Sequence, residues 1–125
     1  MENLLIFLIG ASFYGTIEIL WRHYTHWTML LVGGICLVLL YRAFSVIEKS
    51  SLAEKCLLGG VIITSVELFS GSFINLFFHL DVWDYSFLPY NLFGQICLFY
   101  SVLWVMLCLP AVFLCKGLKK LIGRL

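Results

Sequence analysis

Apolar positions fall into four blocks separated by short polar connections. The blocks run from about Leu4 to Leu20, Met29 to Ile47, Cys56 to Leu80 and Leu92 to Cys115. About 20 mainly apolar residues in a helix cross the hydrocarbon core of a bilayer, so each block predicts a membrane-spanning helix. The third block is long enough to tilt or to extend beyond the core. Pro110 lies inside the fourth. In lipid, neighbouring groups satisfy the carbonyl that a proline frees, so a kink is expected there and not an end. The connections WRHYTHWT, EKSSLAE and DVWDYSFLPYN are short. Short connections force antiparallel neighbours, which gives an all-α membrane protein: a four-transmembrane-helix up-down bundle, one integral membrane domain over residues 1–125.

Small and polar residues recur at helical spacing within the blocks. In the first, Ala11, Gly15, Glu18 and Arg22 share a stripe; in the third, Gly60, Thr64, Glu67, Gly71 and Asn75 do. Small residues let helices approach closely in lipid, so each stripe brings a glutamate into a helix contact. The match of Ala11, Gly15 and Glu18 to Gly60, Thr64 and Glu67 suggests two repeated hairpins related by an axis along the membrane normal. The fourth block carries Gly94, Cys97, Ser101, Trp104, Cys108, Ala111 and Cys115 as a seam, with Trp104 read as a large packing residue.

Glu67 is the most informative residue. It lies near mid-bilayer, where a carboxylate costs roughly 2.5–3.5 kcal/mol on insertion scales. It reads either as a proton, cation or substrate site, or as a glutamate bonded to Thr64, Ser70, Ser72 or a neighbouring helix. Glu18 sits four residues before Arg22, the spacing of a helical ion pair. Together with Asn75, Asn91 and Gln95, the two glutamates outline a polar pocket toward the outer face. In the third connection, Trp83, Tyr85 and Tyr90 suit the interfacial aromatic belt. Asp84 to Ser86 suits a turn, and Asn91 suits the cap of the fourth helix.

Composition agrees with a lipid setting. Hydrophobic residues are 62% and charged residues 12% of the chain, against roughly 45–50% and about 25% in soluble domains. Mean hydropathy is +1.03. A net charge of +1 gives no reason to expect nucleic acid. MENLLIFLIG has no basic n-region or small-residue cleavage site, and reads as part of the mature fold. Arg42, Lys49 and Lys55 surround the second connection, and Lys116, Lys119, Lys120 and Arg124 fill the tail, whereas the first connection carries only Arg22 and the third neither lysine nor arginine. The positive-inside rule then places both termini in the cytoplasm, with the first and third connections outside. The tail KGLKKLIGRL reads as a topology anchor, or as an amphipathic segment on the inner leaflet.

No catalytic or metal motif stands out. The five cysteines form no C-x-x-C and no zinc spacing with histidine, and read as small helix-contact residues. His23, His26 and His79 read as interfacial side chains, and no metal or other cofactor is expected. There is no G-x-x-x-x-G-K-[ST] loop, so these residues do not drive ATP-dependent transport alone.

The run Val82-Trp83-Asp84-Tyr85-Ser86, followed by Asn91, Gly94-Gln95-Ile96, Ser101 and Trp104, resembles the bacterial membrane proteins of the ABC transporter type IV, or CmpB-like, family. Glu67 with Gly71 matches that family's E-x-x-x-G, and Phe13-Tyr14-Gly15 with Glu18 matches its first helix less tightly. The departure is HYTHWTMLLVGG, which lacks the proline of the family's Gly/Pro-rich segment. The resemblance implies a permease-like protein of the bacterial cell membrane. Three functions fit these residues: a small permease subunit, alone or as an oligomer; a non-transporting accessory protein that docks a membrane partner; and a lipid-modifying enzyme using Glu67 or Asp84 as acid or base.

Overall fold

The computed structural model describes residues 2–123, and Arg124 of the basic tail lies outside them. Four helices carry the chain: α1 (Glu2–Arg22), α2 (Trp27–Val46), α3 (Leu52–Gly71) and α4 (Leu98–Gly123). All are long and apolar enough to cross a membrane, α3 together with the turn that follows it. Serine and histidine set two of the starts. Ser51 Oγ accepts from the Glu54 amide at 3.2 Å, and His26 Nδ1 accepts from the Thr28 amide at 3.2 Å, so each satisfies an orphan donor of a first turn. Helix α4 continues through Pro110 and takes in Lys116, Lys119 and Lys120. The described part of the basic tail, to Gly123, is therefore helix, and Lys119 pairs with Glu48 at 3.3 Å.

The third and fourth helices differ from the sequence expectation at their facing ends. α3 passes into a π-helical segment, Ser72–Phe77, three residues short of Leu80. α4 starts at Leu98, six residues later than Leu92. Between them, β1 (Asn91–Leu92) and β2 (Ile96–Cys97) pair antiparallel as a small hairpin. Gly94 sits in its turn with φ +70°, a conformation that costs a side-chain-bearing residue roughly 1–2 kcal/mol.

Packing groups the helices in pairs. α1 lies along α2 and α4 along α3, while α2 joins the two pairs; α1 and α4 meet through side chains, with Tyr14 against Trp104 at a ring-centroid distance of 6.4 Å and Ile6 in one core with Cys108 and Val112. Close approach of the first pair depends on Gly10, where an added Cβ would stand 2.9 Å from the Gly33 carbonyl oxygen. The main core lies toward the basic end, where Ile6, Leu40, Phe44, Cys108, Val112 and Leu118 are buried together. A smaller cluster of Met29, Val82 and Trp83 closes the opposite end. Both small-residue stripes face inward, since Gly15, Glu18, Gly60, Glu67, Gly71 and Asn75 are all buried. The two hairpins do not match as repeats: the helices have 21 and 20 residues in the first and 20 and 26 in the second, and four residues link α1 to α2, whereas a folded loop precedes α4.

Candidate functional site

Two polar assemblies hold the loop between α3 and α4 to the helices. The first is centred on Asn75, which the π-helical segment carries. Its Nδ2 donates to Gln95 Oε1 at 2.8 Å, and its Oδ1 accepts from the Val82 amide at 2.7 Å. Gln95 Nε2 donates to the Phe93 carbonyl at 3.0 Å, and the Trp83 indole donates to the Gln95 carbonyl at 3.0 Å. Asn75 and Gln95 are 5% and 2% exposed. Their amides are thus spent on fixing the loop.

Glu67 is the centre of the second assembly. It is 5% exposed, and both carboxylate oxygens are occupied: Oε1 accepts from Tyr85 Oη at 2.6 Å, and Oε2 from Trp104 Nε1 at 2.7 Å. Its partners come from the loop and from α4, not from Thr64, which instead donates to Ser101 at 3.1 Å. Tyr85 stacks on Tyr100 with ring centroids 4.7 Å apart, so three residues of loop and α4 gather over one carboxylate. Burial first, and then the adjacent Glu67 carboxylate, push the Tyr85 hydroxyl well above its usual range, which keeps it a donor.

Glu18 forms the ion pair expected from its spacing. Arg22 Nη2 donates to Glu18, and Arg22 Nη1 donates to the Val82 carbonyl at 3.3 Å. The end of α1 is therefore tied to the loop. Arg22 Nε is buried with no partner among the described residues. Asn91 is at the loop hairpin, where its Oδ1 accepts from the Gly94 amide at 3.1 Å; it caps that turn and not α4. Asp84 Oδ1 accepts from the Ser86 amide at 2.9 Å, which makes the anticipated turn.

These placements divide the five residues read as one polar pocket. Asn75 and Gln95 touch each other, and Asn91 stays in the loop. Glu67 and Glu18 each stand on the wall of a cavity. The deeper cavity, about 240 Å³, lies among all four helices and includes Gly10, Gly33, Cys36, Ile63 and Pro110. The shallower one, about 200 Å³, is walled by Glu18, Trp21, Arg22, Trp83, Tyr85 and Tyr100. Tyr14, Ile17, Met29, Trp104 and Leu107 line both. Together they line the seam between α1 and α4, with Tyr14 and Trp104 packed across it at a ring-centroid distance of 6.4 Å. Sequence reasoning missed Tyr14 and Leu107 as cleft residues, and it read Trp104 as a packing and family-motif residue, with ligand stacking as the lesser alternative. Buried indole N–H groups need acceptors, and a spanning helix offers few apart from an acidic side chain; that was the available signal for Trp104.

The order W-D-Y-S now has a physical basis. Trp83 locks to Gln95, Asp84 makes the turn and Tyr85 reaches Glu67. Among the described residues, no group of three or more His, Cys, Asp or Glu is gathered as a metal site.

Four spanning helices with a loop latched over buried carboxamide and carboxylate groups define a multi-pass integral membrane protein. The chain belongs to the family described as Putative ABC-transporter type IV, whose model matches residues 5–124. No curated protein and no solved structure matches it.

Proposed function

We propose that this protein is a permease-type membrane subunit of an ABC transport system, working with a separate ATP-hydrolysing chain. The seam between its two hairpins handles the transported or sensed small molecule. The observation that supports the reading is the cleft itself, with Glu67 and Glu18 on its walls at different depths. Cavities at helix interfaces lined by apolar groups, with a few placed polar ones, are the usual form of small-molecule sites. The basic end, with Arg42, Lys49, Lys55 and Lys116 to Lys120, faces the cytoplasm of a bacterial cell by the positive-inside rule. The mouth near Arg22 then faces outward.

The test uses Ile17→Trp. Ile17 is 40% exposed and lines both cavities, so the larger ring fills the cleft without entering the core. The complex is purified from native membranes in mild detergent and reconstituted. ATP hydrolysis is expected to fall about tenfold, equivalent to about 1.4 kcal/mol, while the complex stays assembled. Hydrolysis unaffected by the filled cleft would contradict the reading. A protein that carries no ATPase activity would instead be a non-transporting accessory.

A further inference from the structure

A second polar site lies at the basic end, away from the cleft. There the ends of α2 and α4 meet the start of α3 around a recess of about 30 Å³, whose polar walls are Ser45, Glu48, Lys55, Lys116 and Lys119. Lys55 sets it apart. The residue is 5% exposed, and a lysine is almost never buried to that degree unless it is paired. The ion pairs of the described residues are Arg22–Glu18, Arg42–Glu2 and Lys119–Glu48, and no described group hydrogen-bonds Lys55 Nζ. Nor is that ammonium shut away. The fully enclosed side-chain polar atoms without a partner among the described residues are Arg22 Nε and Thr25 Oγ1, and Lys55 Nζ is not one of them. The recess gives it its open face.

The apolar walls account for the burial. Tyr41, Phe44 and Val112 belong to the main core and line the same recess, so the four-carbon stem of Lys55 is covered while its head is presented. Three lysines against one glutamate leave these walls with a charge of +2. Glu48 is held by Lys119 at 3.3 Å, and their side chains, 67% and 49% exposed, form the open rim. Lys116 lies over the Phe113 ring at 5.7 Å and has no carboxylate partner among the described residues. An ammonium binds phosphate as a point charge. Basic pockets between spanning helices on the cytoplasmic side are where phosphate headgroups are held. The volume sets the depth of entry: a water molecule takes about 30 Å³, so one phosphate oxygen fits inside and the rest of the group stays at the rim.

We propose that this recess binds a phosphate group, with one oxygen on Lys55 Nζ and the others facing Lys116 at the rim. Lys119 keeps Glu48 engaged, so that carboxylate does not repel the guest. The bearer is either the headgroup of an anionic phospholipid in the adjoining leaflet or free phosphate. The site is separate from the cleft and does not rest on the transport reading.

The experiment is a calorimetric titration of the purified full chain in non-ionic detergent. The probes are phosphatidylglycerol, inorganic phosphate and diacylglycerol, which lacks phosphate. Saturable binding of a phosphate-bearing probe near one per protein is expected, and none of diacylglycerol. Lys55→Met keeps the stem without the charge, and is expected to weaken binding by roughly ten- to a hundredfold. Lys55→Arg is expected to retain it. Lys116→Gln, on the exposed rim, is expected to weaken it about threefold. Lys120→Gln removes a charge from the same helix end but outside the recess, and is expected to leave binding unchanged. Circular dichroism checks the fold of each variant. If Lys55→Met does not fold, the contrast between Lys116→Gln and Lys120→Gln decides the matter.

Binding of phosphatidylglycerol with inorganic phosphate inert upholds the recess and assigns it to the membrane. Inorganic phosphate bound as tightly upholds it and assigns it to the free ion. Diacylglycerol bound as tightly as phosphatidylglycerol overturns it, as does the absence of saturable binding by every probe. Equal losses in the recess variants and Lys120→Gln also overturn it, since general charge at the basic end would then be the cause. None of these variants alters the cleft, so the outcome is independent of the filled-cleft test.

Discussion

Replacing Glu67 by leucine separates the two jobs a membrane-embedded carboxylate can have. Leucine fits the space roughly but leaves Tyr85 Oη and Trp104 Nε1 without their acceptor. Each stranded buried donor costs about 1–3 kcal/mol, so the pair together costs roughly 2–6 kcal/mol. The insertion penalty of the carboxylate, about 2.5–3.5 kcal/mol, does not offset this when unfolding leaves the helices in a membrane-like phase, because it is present on both sides of the equilibrium. Glu67→Gln behaves differently. Its carbonyl accepts from the donor-only indole, and its amide donates to the tyrosine oxygen, which accepts as readily as it donates. Both bonds persist without charge assistance, for a loss of about 1 kcal/mol. Reversible unfolding in mixed detergent micelles, followed by circular dichroism, measures both variants. A leucine variant as stable as the glutamine variant would refute the latch around Glu67.

Other outcomes follow from the same geometry. Tyr85 has its folded-state pKa raised above the ordinary 10.0, whereas the unfolded chain releases that proton near the ordinary value. Its contribution to stability is therefore complete below about pH 10 and declines as pH rises above it, and Tyr85→Phe removes that part of the alkaline slope in unfolding titrations. Gly94→Ala places a Cβ 2.6 Å from Asp84 Oδ1 at a backbone φ of +70°; amide exchange over residues 91–97 is expected to speed up by about tenfold or more for a cost of about 1–2 kcal/mol. A C-terminal fusion to a fluorescent protein is expected to glow, and one to alkaline phosphatase to stay inactive, if the basic end is cytoplasmic. An active phosphatase fusion would reverse the assigned orientation.

The helices were legible because length and hydropathy alone define a spanning segment. The start of α4 was not, because Leu92 to Cys97 is as apolar as the helix that follows. Hydropathy does not distinguish a helix from a hairpin there. The turn chemistry did mark the difference: Asn91 followed by Gly94 is a turn signature, and the asparagine bonds the Gly94 amide. The Glu18–Arg22 pair was readable because both partners lie on one helix. The partners of Glu67 were not, since Tyr85 and Trp104 lie 18 and 37 residues away and meet it only when the loop folds back. Asn75 and Gln95 looked like pocket residues because nothing in a sequence shows that two amides satisfy each other. The gap between α1 and α4 is a property of packing, and no local pattern encodes it.

The cleft is tested most directly by a crystal structure of the protein grown in a lipidic mesophase. The account predicts an open space between α1 and α4 lined by Tyr14, Ile17, Trp104 and Leu107, with Glu67 and Glu18 on its walls. Helices α1 and α4 packed together along Tyr14 and Leu107, with no space between them, would contradict it.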